Sequence, residues 1–172
     1  GTPDSIFGNE NELSSGTWSP DGRTLVVSSA LAAGLWTVPL EKPESGARVT
    51  GSRMTEAYPA FSRDGRWLAY VSDESGRQEV YVRPFPGPGG RIQVSVNGGS
   101  EPVWTRDGQE LIYREDAGPA SRLIAATVRT SPTFEVATRT PLFDVSNYAT
   151  VEDHANYDVH PDGRSFVMVR SL

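Results

Sequence analysis

Apolar residues along this chain gather in short runs, and four of those runs follow an Asp-Gly pair. They cover Leu25–Val27, Leu68–Tyr70, Leu111–Tyr113 and Phe166–Met168. Alternation puts Leu25 and Val27, Leu68 and Tyr70, Leu111 and Tyr113, and Phe166 and Met168 on one face of their strands. Val26, Ala69, Ile112 and Val167 fall on the other. Both faces are apolar, which predicts strands covered on both sides. No stretch shows sustained helical periodicity.

The segments ahead of these runs read WSPDG, FSRDG, WTRDG and VHPDG. Each fits a type I turn followed by a residue at positive φ. Asp bonds its own backbone there, and Gly takes the left-handed position at little cost. Pro20 presets φ in the first copy, and Arg63 and Arg106 stand in its place in the middle copies. Asp21-Gly22, Asp64-Gly65, Asp107-Gly108 and Asp162-Gly163 are therefore assigned as structural turns, not as a catalytic or metal array. The pairs start at Asp21, Asp64, Asp107 and Asp162, so the intervals are 43, 43 and 55 residues. A strand-rich repeat of that length predicts an all-β chain, a β-propeller of four-stranded antiparallel blades.

Third strands are expected at Leu35–Leu40, Glu79–Phe85 and Leu123–Val128, and fourth strands at Ala47–Gly51, Arg91–Val96 and Thr140–Val145. Gly, Pro and Ser clusters separate them. Pro84–Gly90 is a tight connector; it opens no helix and lacks the Lys of a phosphate-binding loop. Ser5–Gly8 stands at a fourth-strand distance from the first turn and reads as an outer strand of a preceding blade. The expected organisation is a single propeller segment over 1–172. It holds an outer strand at 5–8, blades at 15–51, 57–96 and 100–145, and a half blade at 155–169, about 3.5 blades.

Composition narrows the partner class. A net charge of −6 argues against general nucleic-acid binding. No apolar run is long enough for a membrane span. No signal-peptide pattern occurs, and a start at Gly1 implies processing, trimming or excision. The absence of cysteine excludes thiol and disulfide chemistry. G-x-S-x-G, H-E-x-x-H, C-x-x-C and EF-hand patterns are missing, so no catalytic residue, metal ligand or cofactor is assigned. His160 occupies the place of Ser19 and Ser62 and reads as a turn residue. Glu152, Asp153 and His154 form a metal- or proton-competent trio that reads better as a solvated loop. Trp18 and Trp104 recur at the repeat spacing and read as blade core.

Up-and-down blades place the Asp-Gly turns on one rim, with Arg23, Arg63, Arg66, Arg106 and Arg164. The opposite rim is expected to gather Glu56, Asp73, Glu74, Glu101, Glu115, Asp116, Glu152 and Asp153. That acidic rim is the candidate surface for a basic protein or peptide partner. The alternative reading is a merely solvated rim.

WSPDGRTLVV resembles the W-S-P-D-G-x-x-L/I-A-F/Y hallmark of TolB-like, WD-repeat-like bacterial β-propellers. The stretch from Phe61 to Arg114 is similar in more detail to the C-terminal propeller of bacterial receptor-like serine/threonine kinases, as are PTFEVATRTPLFDV and NYDVHPDGRSFVMV. The resemblance implies a non-catalytic interaction or sensing module, extracytoplasmic or periplasmic. Two alternatives stay open: the gating propeller of a prolyl-oligopeptidase-like peptidase, and a stand-alone TolB-like periplasmic scaffold. Family propellers close with six to eight blades, so an arc of this length leaves apolar faces open. Three outcomes relieve that: missing blades from a longer protein, a homodimer completing a ring, or closure of one chain as four blades. Association of two copies is the outcome expected here.

Overall fold

In the computed structural model, residues 13–29, 33–50, 54–117, 120–150 and 154–170 are described. Glu152, Asp153 and the 5–8 segment lie outside them. Three four-stranded antiparallel sheets and one hairpin follow one another along the chain. The first sheet holds β1 (Leu13–Trp18), β2 (Thr24–Ser29), β3 (Leu35–Pro39) and β4 (Ala47–Arg48). The second holds β5 (Glu56–Phe61), β6 (Trp67–Ser72), β7 (Glu79–Pro84) and β8 (Ile92–Gln93). The third holds β9 (Ser100–Trp104), β10 (Glu110–Ala117), β11 (Ala120–Arg129) and β12 (Glu135–Asp144). The hairpin is β13 (Tyr157–Val159) and β14 (Phe166–Met168). Among the described residues the only helical element is one 3-10 turn, Pro43–Ser45.

The four Asp-Gly turns build the same hairpin each time. Gly22, Gly65, Gly108 and Gly163 stand at φ of 70, 70, 70 and 69. Each turn closes with its glycine N–H donating to the residue three earlier, as in Gly65 to the Ser62 carbonyl at 2.9 Å. The aspartate then fastens the turn from within. Asp64 Oδ1 accepts from Ser62 Oγ at 2.7 Å and from the Arg66 amide at 3.1 Å. Asp21 and Asp107 repeat the pattern with Ser19 and Thr105. Hydrogen bonds from Gln109 N–H and Thr105 hold the Asp107 carboxyl below its ordinary range. Partial burial of Asp64 opposes the same effect, but bonds from Ser62 and Arg66 win and its pKa is also lowered.

Neighbouring sheets stack face to face through their apolar strands. First strands are innermost: β1 lies against β5, β5 against β9 and β9 against β13. Val26 and Leu35 meet Leu68, Tyr70 and Tyr81 at the first junction. Val71, Val82, Leu111, Tyr113 and Ile124 fill the second. Ile112, Leu123 and Val145 meet Tyr157 at the third. Second strands in the middle of the arc are thus covered on both faces, as their pattern requires.

The ends depart from expectation. Val167 is 72% exposed, because nothing described covers the far side of the last hairpin. Trp18 is half exposed for the corresponding reason at the first sheet, so it is not core. Trp104, inside the arc, does pack, and its Nε1 donates to the Ala60 carbonyl at 3.1 Å. Outer strands also differ in length: β4 and β8 are two residues each, whereas β12 begins five residues before Thr140.

Candidate functional site

Strand register fixes the two ends of the arc. Ser72 pairs with both Glu56 and Glu79, Ser100 with Arg114, and Asp116 with Ser121. All lie at the end of their sheets away from the Asp-Gly turns. The described acids of the candidate surface therefore share one rim. Arg23, Arg63, Arg66, Arg106 and Arg164 stand exposed at the other.

Sharing a rim does not make these acids alike. Glu56, Glu101 and Glu115 are buried, at 4%, 2% and 3% exposure. Glu56 accepts from the Leu35 N–H of the preceding sheet at 3.0 Å and from the Thr50 hydroxyl. Glu101 accepts from the Asn156 N–H of the following hairpin at 2.8 Å. The Tyr157 hydroxyl donates to the Glu101 carbonyl at 2.7 Å. Glu115 is gripped by Arg122 at 2.5 Å and by Asn97 Nδ2 at 3.3 Å. These three tie strands and blades together and present no carboxylate to a partner. Burial raises the Glu56 and Glu101 carboxyls against the hydrogen bonds that favour their charged forms.

Asp73, Glu74 and Asp116 remain. Asp73 is partly exposed and accepts from Thr55 N–H at 3.1 Å. Glu74 pairs with Arg91. Asp116 is half exposed, beside Arg114 Nε at 3.2 Å and the Ser121 hydroxyl. A further acid belongs to this rim: Glu79, 1% exposed, holds Arg77 at 2.7 Å, Gly98 N–H at 3.1 Å and the Ser95 hydroxyl. Most acids here are answered by an arginine, so the rim is a lattice of opposite charges instead of a field of one sign. Two of these pairs, Arg77 with Glu79 and Arg114 with Asp116, join residues two apart in the chain, whereas Arg91 reaches Glu74 from 17 residues away.

A second feature escaped the sequence entirely. Each inner strand of a sheet carries a bulge, between Leu13 and Gly16, Ala57 and Ala60, and opposite Ile112 and Arg114. Tyr58 and Glu101 sit there at φ of 53 and 52, a left-handed backbone that is uncommon outside glycine. Bulge residues reach across the junctions. Ser15 Oγ accepts from Tyr58 N–H at 3.2 Å, just as Glu101 accepts from Asn156. The one local signal was the proline that follows, Pro59 and Pro102.

His154 is exposed, and His160 lies in its turn with Nδ1 3.1 Å from Asp162. No group of His, Cys, Asp and Glu among the described residues has the grouping of a metal site. No described helix is long and apolar enough to cross a membrane.

Sheets of four antiparallel strands, stacked with first strands inward, define an arc of a β-propeller. No protein-family model matches the chain. Solved structures do. TolB from Acinetobacter baumannii superposes with a TM-score of 0.72 at 16% identity, over 99% of this chain and 40% of that one. The putative TolB from Agrobacterium tumefaciens gives 0.67 at 19%, over 99% and 62%. The tricorn protease gives 0.59 at 15%, over 92% and 22%. At these identities the likeness establishes the fold. The chain spans less than two thirds of either TolB.

Proposed function

We propose that this chain is a non-catalytic propeller module that binds a protein or peptide partner. The TolB-like course of 99% of the chain carries the reading. The hydrogen-bonded junctions support it, because they hold one rim rigid enough to present a fixed surface. On that rim Asp73 and Asp116 are the candidate acids that keep solvent access, and they mark the contact surface. Resemblance of the Phe61–Arg114 stretch to kinase-linked propellers makes a receptor-like bacterial serine/threonine kinase the favoured parent, with the propeller as its extracytoplasmic sensor. Affinity capture from the native cell tests the surface. Wild-type chain should retain a partner that Asp73→Lys and Asp116→Lys together lose while circular dichroism shows the same folded spectrum; undiminished capture would overturn the assignment.

A second reading has its own support. The tricorn protease and prolyl endopeptidases contain regions that superpose on this chain. A hydrolase domain in the same open reading frame would make it the gating propeller of a peptidase. A leader sequence with neither kinase nor hydrolase would favour a stand-alone TolB-like scaffold.

Exposed apolar residues at the last hairpin support a further proposal, that two copies associate to complete a ring. Light scattering decides it: a particle of 18.7 kDa that persists at all concentrations would refute the homodimer.

A further inference from the structure

Two blade junctions carry the same pair of side chains. Tyr70 of β6 and Tyr113 of β10 hold matching places after their Asp-Gly turns. Arg83 of β7 and Arg139 of β12 each reach back to a carbonyl of the preceding sheet's outer edge, at Val49 and Val94. Between the second and third sheets the tyrosine of the pair is sealed, with Tyr113 fully buried, while Arg139 stays exposed. Between the first and second sheets the pair opens into a cleft of about 580 Å³ lined by Thr50, Glu56, Tyr70, Glu74, Arg83 and Arg91.

Most charges of the cleft are already answered. Arg91 pairs with Glu74, and Glu56 takes Leu35 N–H and the Thr50 hydroxyl. Arg83 keeps one donor unanswered, although the Glu56 carboxylate feels its charge. Its Nη1 donates to the Val49 carbonyl, while its Nε is buried with no acceptor among the described residues. Nε and Nη2 form the edge of a guanidinium that takes a carboxylate through two parallel hydrogen bonds. An orphaned donor on a side chain that lines a cleft marks a place for a planar acceptor. Glu56 and Glu74 beside it disfavour a doubly charged phosphate more than a singly charged carboxylate.

We propose that this cleft binds a carboxylate group seated on the unanswered Nε edge of Arg83, carried either by a small organic acid or by the C-terminus of a peptide. The inference goes beyond partner binding at the rim, since a free acid would fill the cleft with no protein present.

Titration of the full ¹⁵N-labelled chain with three probes tests it: propionate, N-acetyl-dialanine with a free C-terminus, and the same peptide C-amidated. The free-acid peptide or propionate should give saturable amide shifts at Leu35, Thr50 and Tyr70, and the amidated peptide none. Tighter binding of propionate identifies a small-acid site; tighter binding of the peptide identifies a C-terminus site. Arg83→Lys keeps the charge and a donor for Val49 but loses the fork, and should weaken binding by roughly tenfold or more. Gly90→Leu offers a second variant that spares Arg83. A Cβ at Gly90 meets no atom within 4 Å, and the larger side chain should occlude the cleft and abolish binding. Absence of saturable shifts with either acid, equal binding of the amidated peptide, or unchanged binding in both variants would overturn the proposal.

Discussion

At Gly65 the backbone sits at φ +70, and Pro20 Cδ lies 3.4 Å from where a Cβ would stand. Gly65→Val should therefore cost more than about 1 kcal/mol, through left-handed strain and crowding against the neighbouring turn. Gly108 has the same φ with nothing within 4 Å. Gly108→Val should cost about 1–2 kcal/mol from backbone strain alone, so in urea denaturation any excess loss in Gly65→Val reads the crowding of the larger side chain. The acids divide by location in their response to pH. Lowered turn carboxyls such as Asp107 add stability above their ordinary value of 3.8, and lose it as pH falls through the lower folded value. Glu101 runs the other way. Its raised carboxyl contributes below the ordinary value of 4.5, and that contribution disappears as pH rises through the higher folded value. Glu101→Gln keeps an acceptor for Asn156 N–H and removes the buried charge. Its stability should be flatter than wild type from pH 4.5 toward neutrality, as measured by denaturation at a series of pH values.

Among the elements, Arg114 of β10 ties its strand to the connection that follows β12. It is 4% exposed, reaches the Val145 and Ala149 carbonyls at 3.4 Å and stands beside Asp116. Arg114→Met should destabilise the chain by about 2 kcal/mol, since the buried carbonyls lose charge-assisted donors. Chemical denaturation with an unchanged m-value is the check. The hairpins were legible in the sequence because turn chemistry is local: Ser62, Asp64 and Gly65 stand side by side and determine one another. The second strands were legible because Leu68–Val71 is apolar on both faces. The bulges were not, since nothing in Tyr58 or Glu101 asks for positive φ. That conformation is imposed by the next blade, whose position depends on the whole stack. The shared rim of the acids was legible, but which of them face outward was not. Glu101 answers Asn156, 55 residues away, and Glu56 answers Leu35, 21 away. The cleft was illegible because it depends on the gap between two sheets.

For the whole molecule, the two most exposed large apolar residues among those described sit on the last hairpin. Val167 and Val169 are 72% and 57% exposed on the last hairpin, with Phe143 half exposed beside Phe166. Val167→Asp with Val169→Asp should reduce concentration-dependent association while moving the thermal midpoint by only a few degrees. Sedimentation velocity at several loadings would measure it, and association unchanged by the double variant would place the contact elsewhere.

Every junction bond described above joins a sheet to the one beside it: Tyr58 to Ser15, Trp104 to Ala60, Asn156 to Glu101. Energetically the arc is a row of links, each supported only by its neighbours. A row of that kind has a weakest position, and it is the end. The last hairpin, with two three-residue strands, is held on one side only among the described residues. It should open and reclose many times before the centre does. Hydrogen exchange would then read as a gradient, slowest at Leu68–Val71 and fastest at Phe166–Met168, and any partner that pairs with the last hairpin would slow exchange progressively inward from that end.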